Sequence, residues 1–121
     1  MAKRILVVED GVELRAVVVA MLTEVCGYET IEAANGREAV TKAVSEKPDL
    51  ILMDVDLPDI SGIDAARAVK SNPRTAHIPI IGQTGWGSQQ WKAAAEAAGM
   101  VAYLQKPVSM DLMISTIEEF V

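Results

Sequence analysis

At 121 residues and 13.0 kDa the chain has room for one domain around one core, and none for a second folded unit. Its 17 Asp and Glu against 11 Lys and Arg leave a formal net charge of -6, which gives no sign of a nucleic-acid backbone as the main partner and suits a divalent cation better. The single Cys26 cannot form an internal disulfide, and with neither a signal peptide nor an apolar run of about 18 residues the chain reads as soluble and cytoplasmic.

Arg4 to Val8 is an apolar strand that ends in acid, at Glu9 and Asp10. From Glu13, the residues Leu14, Val17, Val18, Met21, Leu22 and Val25 recur at helical spacing and predict an inward face; Gly27 is the expected stop, with Cys26 packed near the helix end. Tyr28 to Glu32 is a short half-polar strand suited to an edge. Asn35 and Glu38 have capping-box spacing for a second helix with Ala39, Val40, Ala43 and Val44 inward. Leu50 to Met53 has no polar alternation, so it reads as a strand buried on both faces, as in parallel sheets covered by helices. It stops at Asp54.

Ser61 and Asp64 offer a cap for a third helix with Ile63, Ala66 and Val69 inward. Ile78 to Gln83 reads as a fourth strand, with Pro79 near its start and Thr84 at its end. After Gly85, Trp86 and Gly87, Ser88 is a plausible cap for a helix carrying Trp91, Ala94, Ala95 and Ala98; such small side chains bury little area, so this helix is expected to be the mobile one. Val101 to Leu104 is a fifth strand, followed by Lys106 and Pro107. Ser109 then opens a last helix with Met113, Ile114, Ile117 and Phe120 inward. Five strands alternating with five helices argue for right-handed βα units on a parallel sheet.

Ligands bind such sheets at the carboxyl ends of the strands. There the chain carries Glu9 and Asp10, Asp54, Thr84 and Lys106, which would gather carboxylates, a hydroxyl and an ammonium around one cleft. Each has a plainer reading. Asp54 begins an ordinary turn sequence, Asp10 could only cap a helix, Thr84 only end a strand, and Lys106 be a surface lysine. Taken together, carboxylates about 4 Å apart repel by roughly 4 kcal/mol per pair at an effective dielectric of 20, so the cluster calls for a cation. Mg²⁺ fits, being usually held by one or two carboxylates and completed by waters and phosphate oxygens. Asp54 could then attack phosphorus to give an aspartyl phosphate, with Lys106 and Thr84 serving its oxygens. The lone His77 reads as a solvated loop residue. The Gly82, Gly85 and Gly87 stretch lacks the Lys and Ser/Thr of a P-loop.

Glu9-Asp10, Met53-Asp54-Val55-Asp56-Leu57-Pro58 with Gly62 four residues after the proline, Thr84, and Tyr103-Leu104-Gln105-Lys106-Pro107 together resemble a response-regulator receiver domain of two-component signalling, of the single-domain chemotaxis-regulator kind. The resemblance spans the chain, as one receiver domain over residues 1–121 with no effector domain. It implies an α/β, flavodoxin-like (βα)5 fold, a doubly wound parallel sheet of five strands in the order 2-1-3-4-5 with helices on both faces. It also implies Asp54 as phosphoacceptor, with Glu9, Asp10, Asp54 and the Asp56 carbonyl as Mg²⁺ ligands. Thr84 and Tyr103 match the family's switch pair, and Lys106 its phosphate-binding lysine, with a cis bond to Pro107. Asp56 and Trp86 fall where family side chains tune the life of the phosphoryl group. Gly82 and Gly85 stand where relatives commonly have Ala, which would loosen the backbone around Thr84.

Implied partners are a sensor histidine kinase or a histidine phosphotransfer protein, and a downstream protein target on the face of the fourth helix, fifth strand and fifth helix. Trp86 and Trp91 are candidate anchors on that face. Nucleic acid and membrane are not expected as direct partners, and dimerisation is compatible with the pattern. The competing readings are a pseudo-receiver that binds without phosphate and an aspartate-nucleophile phosphohydrolase of the haloacid-dehalogenase type. Asp54-Val55-Asp56 resembles the latter family's motif, but here it is far from the start of the chain.

Overall fold

The structure, a computed structural model, describes residues 2–85 and 89–121. In chain order the elements are β1 (Arg4–Val8), α1 (Val12–Ala20) continuing into a π-helical turn (Met21–Val25), β2 (Glu29–Ala33), α2 (Gly36–Glu46), β3 (Leu50–Asp54), α3 (Gly62–Ser71), β4 (Ile80–Thr84), α4 (Gln89–Ala97), β5 (Ala102–Gln105) and α5 (Met110–Phe120). All strand pairs are parallel and the order is β2-β1-β3-β4-β5, as expected, with the half-polar β2 at an edge.

The period-two alternation of the strands divides the interior into two cores. Leu6, Val8, Ile51, Met53 and Ile80 face one side, under α2, α3 and α4. Ile5, Val7, Leu50, Leu52, Ile81 and Leu104 face the other, under α1 and α5. β3 is buried at every position, which is why it shows no polar alternation. Each large side chain so enclosed contributes roughly 1.5–3 kcal/mol relative to exposure.

The caps expected of Asn35, Ser61 and Ser109 are formed, each side chain accepting a backbone N–H three residues on. Gly27 and Gly99 take the left-handed conformations, with φ of +74° and +90°. The bond before Pro107 is cis. Cys26 is half-buried at the end of the first helix, and His77 is exposed.

Four expectations need correction. Of the predicted inward face of α1, only Val18, Met21 and Leu22 are buried, while Leu14, Val17 and Val25 are exposed. The wider π turn interrupts the 3.6-residue repeat and swings Val25 outward. Secondly, β2, β4 and β5 begin one or two residues later than predicted, because Tyr28, Ile78 and Val101 lead into the sheet ahead of the ladder. Thirdly, Gly82 is not a point of looseness: it lies inside β4, and an added Cβ would come within 2.5 Å of the Met100 sulfur and 3.7 Å of the Trp91 ring. Finally, Trp91 is half-buried, edge-on to Tyr103 at 5.4 Å between ring centres, so it is partly a core residue. The roles foreseen for Trp86 and Ser88 lie outside the described residues.

Gly62, at the first turn of α3, is fixed by sterics. A Cβ there would stand 2.2 Å from the Asp54 carbonyl oxygen and 2.7 Å from the Val55 Cα, whereas one on Gly85 would meet nothing within 4 Å. Gly62→Ala is therefore expected to cost about 3 kcal/mol or more in urea denaturation, and Gly85→Ala to stay within about 1 kcal/mol of the parent. Equal effects of the two would mean that the β3–α3 junction gives way freely.

Candidate functional site

The strand register brings the chemistry together. Val8 pairs with Met53, Asp54 with Gln83 and Thr84 with Gln105, so β1, β3, β4 and β5 end side by side. Glu9, Asp54 and Lys106 extend the alternating series of Ile5 and Val7, Leu50 and Leu52, and Leu104, and so they share the α1/α5 side of the sheet. Thr84 extends the series of Ile80 and Gly82 on the other side.

Lys106 Nζ lies 3.2 Å from Glu9 Oε1 and 3.4 Å from Asp54 Oδ1. Asp54 is 2 % exposed and its Oδ1 accepts the Asp56 N–H at 3.1 Å. Glu9 accepts the Gly11 N–H through Oε2 at 3.0 Å, while its own carbonyl accepts an Arg15 guanidinium N–H at 2.7 Å. Carboxylate oxygens of Glu9, Asp10 and Asp54 all lie within 4.8 Å of one another, with Asp10 exposed at the mouth. The buried Thr84 lends its carbonyl to the Lys106 N–H at 2.6 Å, so the two strand ends are tied by backbone as well. Tyr103 is half-buried on β5, its hydroxyl 3.4 Å from Glu96 Oε1 on α4 and its ring 5.8 Å from the Lys92 ammonium.

The electrostatics show what the cluster lacks. Burial, opposed by the Asp56 N–H and aided by the Glu9 charge, pushes the Asp54 carboxyl up to about 6, with Lys106 pulling the other way. Asp10 is raised mainly by its hydrogen bond to Glu9, then by burial and by the Glu9 charge. Burial also works against an ionised Glu9, yet the Gly11 N–H, the bond to Asp10 and the Lys106 ammonium together hold it below the usual carboxylate range. Burial disfavours the Lys106 cation, but Asp54 and Glu9 outweigh it and raise its pKa. Among the described residues, the Lys106 ammonium thus pairs with two of the three clustered acids, Glu9 and Asp54. Hard oxygen donors converging with one exposed side fit a hard divalent cation such as Mg²⁺, which retains waters.

Three contributors were missed in the sequence. Gly11 and Arg15 act through a backbone N–H and on a backbone carbonyl, which residue type does not advertise. Leu14, expected in the core, instead lines a cavity of about 420 Å³ with Val18, Pro107, Val108 and Met113, and Glu9 and Lys106 line it too. A helical pattern cannot separate a core position from a cavity wall.

Residues 5–118 match the response regulator receiver domain family. The polar-differentiation response regulator DivK of Brucella anthropi is 38% identical over 120 residues, covering 99% of this chain and 97% of its own. Among solved structures, the chemotaxis protein CheY4 of Vibrio cholerae aligns over 100% of both chains at a TM-score of 0.93 and 30% identity. The receiver domain of the Pseudomonas aeruginosa sensor histidine kinase PA1611, solved with a magnesium ion coordinated in its active site cleft, aligns at 0.90 and 32% identity over 99% of this chain and 98% of that one. With a full-length match in sequence and in fold, and acids converging where the strands end, the chain belongs to the response regulator receiver family of two-component signalling.

Proposed function

We propose that this receiver is a phosphorylation-controlled binding module in which Asp54 takes a phosphoryl group from the phosphohistidine of a sensor histidine kinase or histidine phosphotransfer protein. The observation that carries the reading is Asp54 itself, a carboxylate almost wholly buried at a strand end, 3.4 Å from the Lys106 ammonium and grouped with Glu9 and Asp10.

An Asp54 oxygen attacks phosphorus, the bond from phosphorus to the donor imidazole breaks, and the imidazole nitrogen keeps the electron pair. Glu9, Asp10, Asp54 and the Asp56 carbonyl would hold Mg²⁺, which would supply charge neutralisation at the phosphoryl oxygens. Lys106 already faces Asp54 and neutralises a further oxygen as charge moves onto the aspartyl phosphate. The Asp56 N–H keeps the attacking carboxylate oriented. The Thr84 hydroxyl donates to a phosphoryl oxygen and Tyr103 turns into the space released, a shift between two populations and not the building of a new site.

In this reading the output surface is formed by α4, β5 and α5, with Trp91 at its edge and a downstream protein as target. Asp56, exposed beside Asp54, tunes how long the phosphoryl group survives. The protein is a cytoplasmic switch whose own catalysis is limited to gaining and losing that group. Among the described residues, no helix is long and apolar enough to cross a membrane.

The direct test is intact-mass measurement over time with Mg²⁺ and acetyl phosphate, alongside Asp54→Ala. A single labile phosphoryl adduct that requires Mg²⁺ and is absent from the variant is the expected result. A folded parent that acquires none, with the donor shown to persist, would instead be a phosphate-independent pseudo-receiver.

A second test follows from charge. The Asp54 pKa is raised from 3.8 to about 6 on folding. The folded state therefore binds the proton more tightly, and stability falls as pH climbs through that window. At pH 7.5 without Mg²⁺, Asp54→Asn should raise Tm by roughly 5 °C, an advantage that disappears near pH 4 and narrows when Mg²⁺ stabilises the parent. A Tm difference that ignored both pH and Mg²⁺ would mean that the buried charge is not what the variant relieves.

A further inference from the structure

The loop from Val55 to Ser61 carries Asp56, whose N–H holds Asp54 and whose carbonyl is assigned to the cation. Inside the loop, Leu57 and Gly62 donate their N–H groups to the Val55 carbonyl at 3.1 and 2.9 Å. These bonds fix its two ends. Its middle is held from elsewhere.

Asp59 reaches across to α2, where its Oδ1 accepts the Gly36 N–H at 2.8 Å and its Oδ2 the Arg37 N–H at 2.9 Å. The Arg37 guanidinium stands 3.8 Å away and adds weak attraction, since that side chain is largely exposed. Beside it, Ile60 covers Gly36 so closely that a Cβ there would lie 2.5 Å from Ile60 Cγ1 and 3.0 Å from the Ile60 carbonyl oxygen. Asn35 satisfies the third N–H of α2, that of Glu38, at 2.8 Å. The helix thus has its own cap, and the two N–H groups left over are taken by a residue 23 positions away.

A carboxylate is favoured at a helix N-terminus, and water could serve those N–H groups equally well as far as the helix is concerned. What water could not do is hold the loop. The contact joins the segment between the proposed phosphoacceptor and α3 to a helix that supplies none of the site's acids and neither its lysine nor its threonine.

We propose that Asp59 is a positioning residue, a latch that clamps the β3–α3 loop onto the N-terminus of α2 and so holds the Asp56 backbone in register with Asp54 for cation and phosphoryl binding. The inference rests on the receiver reading of the site. It assigns Asp59 no contact with the phosphoryl group.

The test uses the whole chain with Asp59→Ala and Asp59→Asn, and reads hydrogen exchange of the loop amides without metal and Mg²⁺ affinity by calorimetry. Asp59→Ala should speed exchange at Asp56, Leu57 and Gly62 by about tenfold and weaken Mg²⁺ binding by about tenfold, with circular dichroism unchanged. Asp59→Asn, keeping one acceptor oxygen, should fall between. If Asp59→Ala folds poorly, Asp59→Asn and Gly36→Ala, which pushes on Ile60 from the α2 side, must still loosen the same amides. Faster exchange confined to Gly36 and Arg37, with the loop amides and Mg²⁺ affinity within twofold of the parent, would reduce Asp59 to a helix cap and overturn the proposal. A parent that bound no Mg²⁺ would instead count against the site reading, while the exchange data would still decide the latch.

Discussion

Asp54 carries a charge that the protein interior disfavours, and much of the surrounding architecture bears on that conflict. The carboxylate lies at the end of a strand enclosed on both faces, next to Glu9 and within reach of Asp10, and Lys106 brings the ammonium that offsets these acids. Burial and like charge raise its proton affinity, while Lys106 and the Asp56 N–H lower it. A site balanced in this way is poorly satisfied when empty. In the proposed reading it gains most from a hard cation and from conversion of the carboxylate into an acyl phosphate, whose charge lies farther out, where metal and lysine would meet it. On that reading, binding and chemistry draw on the same electrostatic deficit.

That deficit can exist only because the fold forces the acids together. Parallel pairing sets the ends of β1, β3, β4 and β5 level, and the two-residue repeat selects which side chains share a side. A slip of one residue in β1 would turn Glu9 to the opposite side and put Asp10 in its place. The close approach of Gly62 to the Asp54 carbonyl limits how the chain may leave β3, so the turn that follows is also constrained.

Much of this could be read from residue order. An unbroken apolar run ending in Asp54, acids after β1 and a lysine after β5 placed the site, because strand ends are set by local pattern and parallel topology aligns them. The three caps were legible for a similar reason, since each spans only three residues. Other features were not. The exposure of Leu14 and Val25 depends on a cavity and a π turn that leave the apolar pattern unchanged. Gly82 looked like a source of slack, yet its missing side chain is space filled by Met100 and approached by Trp91, a tertiary fact. Nothing local singles out Asp59 within the turn sequence after Asp54, because its partners lie on another element.

The two cores have a consequence for how such a domain could signal. Glu9, Asp54 and Lys106 belong to the series that faces α1 and α5, whereas Thr84 and Tyr103 belong to the series that faces α4. The sheet is thus a partition between two separately packed compartments. An event at Asp54 has few routes through it, because the strands between are filled with closely packed Ile, Leu and Val. The strand-end edge is where the partition stops, and Thr84 sits on that rim, bonded through its carbonyl to the residue that also grips Asp54. Chemistry in one compartment can then be felt in the other without disturbing the wall between them.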